Sequence, residues 1–419
     1  MPRQHTGMNR RRFLGIAATA CATPLILKAN VLGRDGIIPP SEKIIAAQVG
    51  MGNRGYSDLL PGFAGNKDFS VVGVCDCHRA KVVGAAERLK QWTENPVIFD
   101  KYEDFLERED IDVVICSTPD HWHTKISVEA CMAGKDVFCE KPLTLTPAES
   151  RLIVKAARKY NRICSSGSQR VMEDYGYMAP IIQSGAIGDV KEVYCGLGGP
   201  GEPCNLPEQP IPEGFDWDRW LGQAPYAPYN EERCSGSYGG GWRRYEDYGN
   251  GFLADWGAHK FGGSLYALGL DTTEPVEIIP PDGKDVQFLT LIFANGITFY
   301  HATSGGHDIT IIGTNGEIRN DKRDDNPKPL KTVEVRRYSG GANNIIEDFA
   351  WCVKNRQRPF QDFEYGANTA LFCQLANICY KVKRPLKWDA EKTQFVGDAQ
   401  ANRFISRIQR SPYTIPKID

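Results

Sequence analysis

A short glycine-rich segment near the start of the chain has the spacing needed to hold a phosphate group. Gly50, Gly52 and Gly55 follow an apolar run over 44–49 and precede residues of helical character over 56–64. The first glycine permits a tight turn, the second lets the backbone approach a pyrophosphate, and the third lets the helix pack on the strand. The N-terminus of that helix attracts the anion. The pattern predicts a dinucleotide site, and the alternative is a glycine-rich turn without a ligand.

A carboxylate follows the glycines at the distance that such a site requires. The next apolar run, 71–75, ends in Asp76, about 20 residues beyond the glycines. A carboxylate at this place binds the ribose hydroxyls of NAD and repels the 2′-phosphate of NADP. We therefore expect NAD, with NADP as the second choice because basic side chains follow Asp76. We also expect Asn53 and Arg54 of the glycine segment to contact the cofactor.

Asp255 and His259 form a second pair whose spacing suits chemistry. Residues four apart share one face of a helix, so both side chains can point into one cleft. His259 could then act as general base on a hydroxyl group, while Asp255 orients it or binds a neighbouring hydroxyl. The alternative for a histidine at this spacing is a structural role.

The elements that position these residues alternate between strand and helix. Apolar runs at 113–116 and 136–139 have strand length, and a helical pattern follows each of them. Such alternation predicts a parallel, doubly wound sheet. Because ligands gather beyond the carboxyl ends of the strands in these sheets, we expect the loops 117–119 and 140–142 to face the cofactor.

These loops carry motifs that resemble those of the Gfo/Idh/MocA oxidoreductase family in order and spacing. The motifs are Thr118-Pro119-Asp120-His121-Trp122-His123, Ala133-Gly134-Lys135 and Glu140-Lys141-Pro142. The resemblance implies an α/β protein, with an N-terminal Rossmann domain and a C-terminal α/β domain built on a large open, mostly antiparallel sheet. It also implies a nicotinamide cofactor, and we expect its contacts to include Ser117, Thr118, Pro119, His123, Glu140 and Lys141.

The resemblance further implies where the reaction takes place. In the family, the lysine of the Glu-Lys-Pro loop lies beside the nicotinamide and the substrate hydroxyl, and Lys141 is its counterpart. An ammonium there can hydrogen-bond a developing alkoxide, and the alternative is a surface lysine in a turn. The family's second signature is an Asp and a His four apart at the start of a helix, which Asp255 and His259 match. We predict these three residues as catalytic and predict no metal site.

The second half of the chain has a different pattern. Strand-like runs follow one another without helices and predict an antiparallel sheet; they lie at 190–197, 274–279, 288–293, 297–302 and 309–312. Between residues 198 and 251 lies a long segment rich in glycine, proline and aromatic residues, which we interpret as a pocket wall or lid. Its aromatic faces and arginines suit a carbohydrate. The candidate substrate contacts are Arg170, Trp242 and Arg243, and Tyr238 belongs to the same segment.

Length and charge limit the classes of protein and partner. The 419 residues suit two domains, which we place at 42–168 for cofactor binding and 169–419 for substrate binding and oligomerisation. The chain has 50 Lys and Arg residues against 52 Asp and Glu residues. A net charge of -2 gives no basic surface that would bind a nucleic acid, so we expect none as a partner.

The 13 cysteines are scattered without a CxxC motif, which indicates neither a zinc site nor a disulfide framework. The family resemblance implies a homodimer or homotetramer.

The first residues have the layout of an export signal. Paired arginines at 10–12 stand directly before Phe13-Leu14 and a short apolar stretch, which is typical of a twin-arginine signal, here assigned to residues 1–36. The stretch is shorter than the roughly 20 residues of a membrane-spanning helix, so we expect a periplasmic protein without stable membrane insertion. Because this route carries folded proteins, we expect a tightly bound cofactor that is loaded before export.

Three functions fit these features. The first is hydride transfer to or from a secondary alcohol of a sugar, an inositol or a glycoside, in which His259 or Lys141 takes the hydroxyl proton. The second is an NAD-dependent glycosidase that oxidises a sugar hydroxyl transiently; relatives with that activity tend to lack the lysine of the Glu-Lys-Pro loop, so Lys141 favours the first. The third is a sugar-binding relative without catalysis, against which Lys141, Asp255 and His259 together argue.

Overall fold

The computed structural model describes residues 42–235, 241–302 and 309–418. The predicted signal segment 1–36 and Tyr238 lie outside the described residues. Residues Ile44–Asp419 form a single compact unit that contains both sheets. Within the described ranges, every helix is too short or too polar to cross a membrane.

The N-terminal half contains the predicted doubly wound sheet. Its strands are β1 (Ile44–Val49), β2 (Phe69–Cys75), β3 (Val97–Phe99), β4 (Val113–Cys116), β5 (Asp136–Cys139) and β6 (Cys164–Ser166). They pair in the order β3-β2-β1-β4-β5-β6, and every pairing is parallel. The chain runs from β1 to one edge and then from β4 to the other, so the switch point lies between β1 and β4, where open α/β sheets bind ligands.

The strand register brings the predicted site residues to one edge of this sheet. Val49 pairs with Cys75 on one side and with Cys116 on the other, and Cys116 pairs with Cys139. The ends of β2, β1, β4 and β5 are therefore level. The residues that follow these strands, including Gly50, therefore lie side by side along one edge of the sheet.

The helices surround the two sheets. They are α1 (Leu60–Ala64), α2 (Arg79–Leu89), α3 (Tyr102–Leu106), α4 (Asp120–Met132), α5 (Pro147–Lys159), α6 (Arg170–Glu173), α7 (Met178–Gln183), α8 (Trp217–Leu221), α9 (Glu231–Cys234), α10 (Gly251–Leu268), α11 (Ile345–Asn355), α12 (Phe363–Val382) and α13 (Ala399–Asn402). A π-helical turn, Gly55–Leu59, leads into α1. Short 3₁₀ segments lie at Gly241–Arg244, Asn320–Asp325 and Ser339–Gly341.

The C-terminal half contains a second sheet of eight strands. These are β7 (Val190–Gly196), β8 (Glu277–Ile279), β9 (Leu289–Ile292), β10 (Thr298–Ala302), β11 (Ile309–Gly313), β12 (Gly316–Arg319), β13 (Leu386–Asp389) and β14 (Gln394–Phe395). Their order is β12-β11-β7-β10-β9-β8-β13-β14, and only β7 and β10 pair in parallel. The predicted mostly antiparallel sheet is confirmed. The domain boundary at residue 168 stays a prediction; it falls just after β6.

Helix α10 carries both Asp255 and His259, and glycines determine how closely it packs. Its buried side chains include Phe261, whose ring lies 4.8 Å from that of Phe372 on α12. A Cβ at Gly257 would lie 2.6 Å from Sγ of Cys373 on the same neighbouring helix. The absence of a side chain at position 257 therefore lets the two helices approach at the turn that holds the predicted catalytic pair.

This close approach predicts the effect of one added methyl group. Gly257→Ala should lower the free energy of unfolding, because overpacking costs about 1–3 kcal/mol and exceeds the gain of about 1 kcal/mol in helix propensity. Gly84→Ala is the matched control, since Gly84 lies in the exposed part of α2 and a Cβ there meets no atom within 4 Å. Urea unfolding of both variants tests this; a Gly257→Ala protein as stable as the control would contradict it.

Candidate functional site

One large cavity lies at the carboxyl edge of the parallel sheet. Its volume is about 1080 Å³, slightly above the range of about 300–1,000 Å³ that is common for ligand sites. Most predicted site residues line it: Gly50, Gly52, Asn53, Arg54, Asp76, Ser117, Thr118, Pro119, Glu140, Lys141, Arg170, Trp242, Arg243, Asp255 and His259. Gly55 and His123 are not among its lining residues. The cavity therefore joins the predicted cofactor and catalytic residues.

The three glycines of the loop after β1 have different structural roles. Gly50 has φ +91, and a Cβ there would lie 2.6 Å from the backbone of Ser117. A Cβ at Gly55 would lie 2.1 Å from the carbonyl oxygen of Gly50. A Cβ at Gly52 would meet no protein atom within 4 Å, although Gly52 lines the cavity. Packing within the protein explains two of the glycines, and open space for a pyrophosphate explains Gly52.

Asp76 is fixed at the end of β2 by backbone donors. Its two carboxylate oxygens accept hydrogen bonds from the backbone N–H groups of Met51, at 2.6 Å, and His78, at 2.8 Å. A carboxylate has about four acceptor positions, so it can still accept from ribose hydroxyls. Asp76 therefore both holds the glycine loop and presents the acceptor that the sequence predicted for the cofactor ribose.

Arg54 and Glu140 join the glycine loop to the loop after β5. Nε of Arg54 donates to Oε1 of Glu140 at 2.9 Å, and the guanidinium also reaches Asp58. The neighbouring carboxylate of Glu140 raises the pKa of Arg54, although burial acts in the opposite direction. Arg54 therefore remains a cation in the cavity wall, where it suits an anionic ligand.

Ser117 and His123 support the loops from within the protein. The hydroxyl of Ser117 donates to the carbonyl of Gly50 at 2.7 Å. His123 is fully buried, and its ring nitrogens lie 2.9 Å from the carbonyl of Thr118 and 2.8 Å from that of Pro142. Both residues were predicted as cofactor contacts. The structure places His123 behind the loops after β4 and β5, which it holds together.

Lys141 and Asp255 meet at the centre of the cavity wall. The ammonium Nζ of Lys141 donates to Oδ1 of Asp255 at 2.7 Å and to the main-chain carbonyl of Asp255 at 2.9 Å. Arg243 adds a bond from Nε to the same Oδ1 at 3.3 Å. Burial raises the pKa of Asp255, but the two cations outweigh burial and hold it below its usual value. Asp255 is therefore an ionised carboxylate.

His259 lies one turn further along α10 and is uncharged. Burial, with the cations Lys141, Arg170 and Arg54 nearby, keeps the pKa of His259 well below its ordinary value. Among the described residues, Nδ1 of His259 has no hydrogen-bond partner. Nδ1 is itself buried away from the cavity, so it is the remaining edge of this neutral imidazole, which lines the cavity, that could meet a bound hydroxyl group and accept its proton.

Asp120 is a buried carboxyl group near the site, outside the cavity lining, and sequence reasoning did not single it out. It begins α4, is 3% exposed, and has no partner for Oδ1 among the described residues. Burial, together with the charge of Asp255, raises the pKa of Asp120 well above its usual value despite Arg243 and Lys141. The available signal was its place directly after Pro119 in the family motif. The pKa of Asp120 is raised because ionisation would place a second negative charge near Asp255 in a buried position.

The part of the cavity next to α10 combines aromatic rings with cations. The guanidinium of Arg243 lies over the ring of Trp242, 4.3 Å from its centroid. Arg170 lies 5.3 Å from the centroid of Trp256, at the entrance, and pairs with Asp174 at 2.6 Å. Aromatic faces beside charged donors suit a polyol, which stacks its C–H groups and hydrogen-bonds its hydroxyls. The three predicted substrate contacts thus lie in one region.

A buried group of possible metal ligands lies beside the site. Atoms of Cys116, His123 and Cys139 that could bind a metal lie within 4.8 Å of one another. Both ring nitrogens of His123 face main-chain carbonyls, so a metal ion would have to displace one of these contacts. We assign this group to packing at the ends of β4 and β5.

The fold and the cavity at the carboxyl edge of the parallel sheet define a dinucleotide-binding oxidoreductase. The model of the oxidoreductase family's NAD-binding Rossmann fold matches residues 45–168, and that of the family's C-terminal alpha/beta domain matches residues 201–415. Together they cover well over half of the chain. The chain belongs to the Gfo/Idh/MocA oxidoreductase family.

Individual relatives agree with this assignment. An α-N-acetylgalactosaminidase of Shewanella oneidensis is 32% identical over 148 residues, which is 34% of this chain and 31% of that protein. The chain thus matches about a third of the length of this curated relative. An NAD-binding protein from Listeria innocua superposes with a TM-score of 0.58 at 20% identity, covering 82% of this chain and 97% of the other. An aldose–aldose oxidoreductase from Caulobacter crescentus superposes with a TM-score of 0.55 at 19% identity, covering 82% of this chain and 99% of the other. These structural likenesses show the fold.

Gly52 provides a test of the cofactor loop. Gly52→Ala should fold like the original protein, because the added methyl meets no protein atom. It should weaken NAD binding by about tenfold or more, because the methyl lies where the backbone must approach the pyrophosphate. Thermal unfolding and titration calorimetry measure the two effects, with Gly84→Ala as the control. Unchanged affinity for NAD would show that the pyrophosphate lies elsewhere.

Proposed function

We propose that this protein is an NAD-dependent oxidoreductase that transfers a hydride to or from a secondary alcohol carbon of a sugar, an inositol or a glycoside. The observation that carries the proposal is that Lys141, Asp255 and His259 line the same cavity as the glycine loop and Asp76. When bound, the nicotinamide ring supplies the acceptor or donor of the hydride. The protein's own residues must then bind the alcohol and move its proton.

His259 is the group that takes the proton. Its imidazole is neutral because burial and four nearby cations disfavour the charged form. A proton taken from the alcohol can later leave to solvent or return to a ketone in the reverse direction. Asp255, held as a carboxylate one turn away, stabilises the transient imidazolium through charge.

Lys141 binds the oxygen of the reacting carbon. An ammonium has three N–H donors, and Asp255 accepts two of them through its side chain and its main-chain carbonyl. One donor is left for the substrate oxygen, where it stabilises a developing alkoxide. The ion pair with Asp255 fixes the direction of that donor, which a surface lysine could not achieve.

Three finer features belong to the same proposal. The free acceptor positions of Asp76 favour NAD over NADP. The paired arginines near the N-terminus support export to the periplasm by the twin-arginine route. Free nicotinamide nucleotide is scarce outside the cytoplasm, so we infer a tightly bound cofactor that is recycled within each turnover or by a second sugar.

Two substitutions test the proposed roles. Lys141→Met and His259→Asn should each lower kcat/KM by about 10²-fold or more, the usual size of a lost acid–base or oxyanion contact. Both variants should retain bound NAD. The assay follows NADH absorbance with a panel of aldoses, inositols and glycosides. Lys135→Met is the control, because Lys135 is also a lysine largely shielded from solvent but donates to the carbonyl of Arg108, outside the cavity. Unchanged turnover in His259→Asn would remove it from the mechanism.

A second candidate function is an NAD-dependent glycosidase. It is favoured by the similarity to the α-N-acetylgalactosaminidase of Shewanella oneidensis. Both reactions begin with the same proton removal by a base such as His259, and they differ in whether a glycosidic substituent is then eliminated. The intact Lys141 supports the simple oxidoreductase.

A chromogenic glycoside separates the two candidates. With para-nitrophenyl α-N-acetylgalactosaminide, the oxidoreductase should release no more nitrophenol than the His259→Asn variant does. Release by the original protein without net formation of NADH would instead establish the glycosidase. The measurement is nitrophenol absorbance over time, and free N-acetylgalactosamine serves as the control substrate.

A further inference from the structure

One segment of the C-terminal half contacts the Rossmann half beside the cofactor loop. We call residues Gly214–Gly222 the clasp. At its beginning, the carbonyl of Gly214 accepts a hydrogen bond from the N–H of Arg79 at 2.8 Å, and the N–H of Asp216 donates to the carbonyl of Cys77 at 2.9 Å. The ring of Phe215 lies 5.1 Å from that of His78. The clasp is thus attached to the loop that follows β2.

The other end of the clasp is attached to α4. The carbonyl of Trp220 accepts a hydrogen bond from Nε1 of Trp122 at 3.1 Å and lies 2.9 Å from Nε2 of His121. Burial, with the charge of Arg407, lowers the pKa of His121 to about 3, so its ring is neutral and donates from Nε2. Arg219 adds an ion pair of 3.0 Å with Glu103 on α3.

The sheet order shows what lies beneath the clasp. One attachment follows β2 and the other follows β4, and β1 lies between these strands. The clasp therefore crosses the carboxyl edge of the sheet next to the glycine loop. Phe215, Arg219 and Trp220 line the same cavity as Asp76, the predicted ribose contact.

Gly222 shows that the contact with α4 is built into the sequence. It has φ +53, and a Cβ at this position would lie 2.6 Å from ring atoms of Trp122. Both its backbone conformation and its distance from the ring require glycine. The end of the clasp thus lies directly against the indole that borders the cavity.

Residues near the C-terminus hold the clasp from outside. Arg410 forms an ion pair with the carboxylate of Asp218 and donates to its main-chain carbonyl at 2.7 Å. The hydroxyl of Tyr413 donates to Oδ2 of Asp218 at 2.8 Å, and the ring of Tyr413 lies 5.7 Å from that of Trp122. Neither Arg410 nor Tyr413 is among the described residues that line the cavity.

We propose that the clasp forms the outer wall of the compartment for the adenosine half of the dinucleotide and retains the bound nucleotide between turnovers. This inference rests on the proposed function. Asp76 and Trp122 of the Rossmann half and Phe215 and Trp220 of the clasp line one cavity, and the adenosine would lie between them. The nucleotide leaves only when the contacts at both ends of the clasp open, so a second substrate must restore its oxidation state in place.

Nucleotide exchange measures this retention directly. The protein is purified without added nucleotide, and the nucleotide released on denaturation is identified as NAD or NADP by mass. The holoprotein is then mixed with an excess of isotope-labelled nucleotide of the same kind, and bound label is followed by mass spectrometry. Arg410→Ala should exchange about tenfold faster than the original protein, because the outer support of Asp218 is lost.

Two further variants make the result specific. Tyr413→Phe removes one hydroxyl and should also speed exchange, by a smaller factor, which decides the matter if Arg410→Ala does not fold. Arg384→Ala is the matched control, since it breaks an ion pair with Asp398 at 2.8 Å that does not involve the clasp. The control should exchange at the original rate.

The outcomes separate this inference from the proposed function. Equal exchange rates in the original protein, Arg410→Ala and Tyr413→Phe would overturn the retaining role of the clasp and leave the oxidoreductase intact. A protein that takes up neither NAD nor NADP, even when incubated with them, would overturn the proposed function itself. Slow exchange in the original protein and in the control, with fast exchange in both clasp variants, is the expected result.

Discussion

A buried ion pair joins the two halves of this protein at the place where its chemistry is expected. Lys141 follows β5, Asp255 lies in the second turn of α10, and Nζ and Oδ1 are 2.7 Å apart. Removing two charges from water is costly, and their attraction offsets the cost only when further hydrogen bonds complete the pair. The main-chain carbonyl of Asp255 and the guanidinium of Arg243 supply these bonds. The packing of α10 against the Rossmann half therefore determines the geometry of proton transfer.

The first turn of α4 carries four residues that contact or lie near the ion pair, the cofactor loops and the clasp. Asp120 lies near the ion pair, and burial together with the charge of Asp255 raises its pKa. His121 and Trp122 both contact the carbonyl of Trp220 in the clasp. His123 lies between the carbonyls of the two loops that border the cavity. One turn of helix thus connects the catalytic pair, the cofactor loops and the clasp, so a displacement of α4 would disturb all three.

The charges of the cavity wall fit both of the proposed reactions. The cavity wall brings the cations Arg54, Lys141 and Arg243 together with the carboxylate of Asp255 and the neutral ring of His259. This combination attracts an anionic cofactor, binds an alcohol oxygen and accepts its proton. Oxidation of a sugar and oxidation followed by elimination share these demands. The two reactions differ in what happens to the oxidised sugar, and that step depends on groups other than Lys141, Asp255 and His259.

The sequence by itself determined the features that depend on local patterns. The run Ile44–Val49, the glycines after it and Asp76 predicted β1 and the cofactor loop, and the spacing of Asp255 and His259 predicted a shared helix face. Alternation of strands and helices predicted the parallel sheet, but the short strands β3, β6, β12 and β14 were missed because two to four residues carry too little periodicity. Only the tertiary structure decided that His123 supports loops, that Asp120 lies near Asp255, and that residues 214–222 cross the edge of the sheet. Those facts depend on contacts between residues as many as 139 positions apart, from Cys77 to Asp216. The free energy of such contacts comes from burial and charge, which no local pattern records.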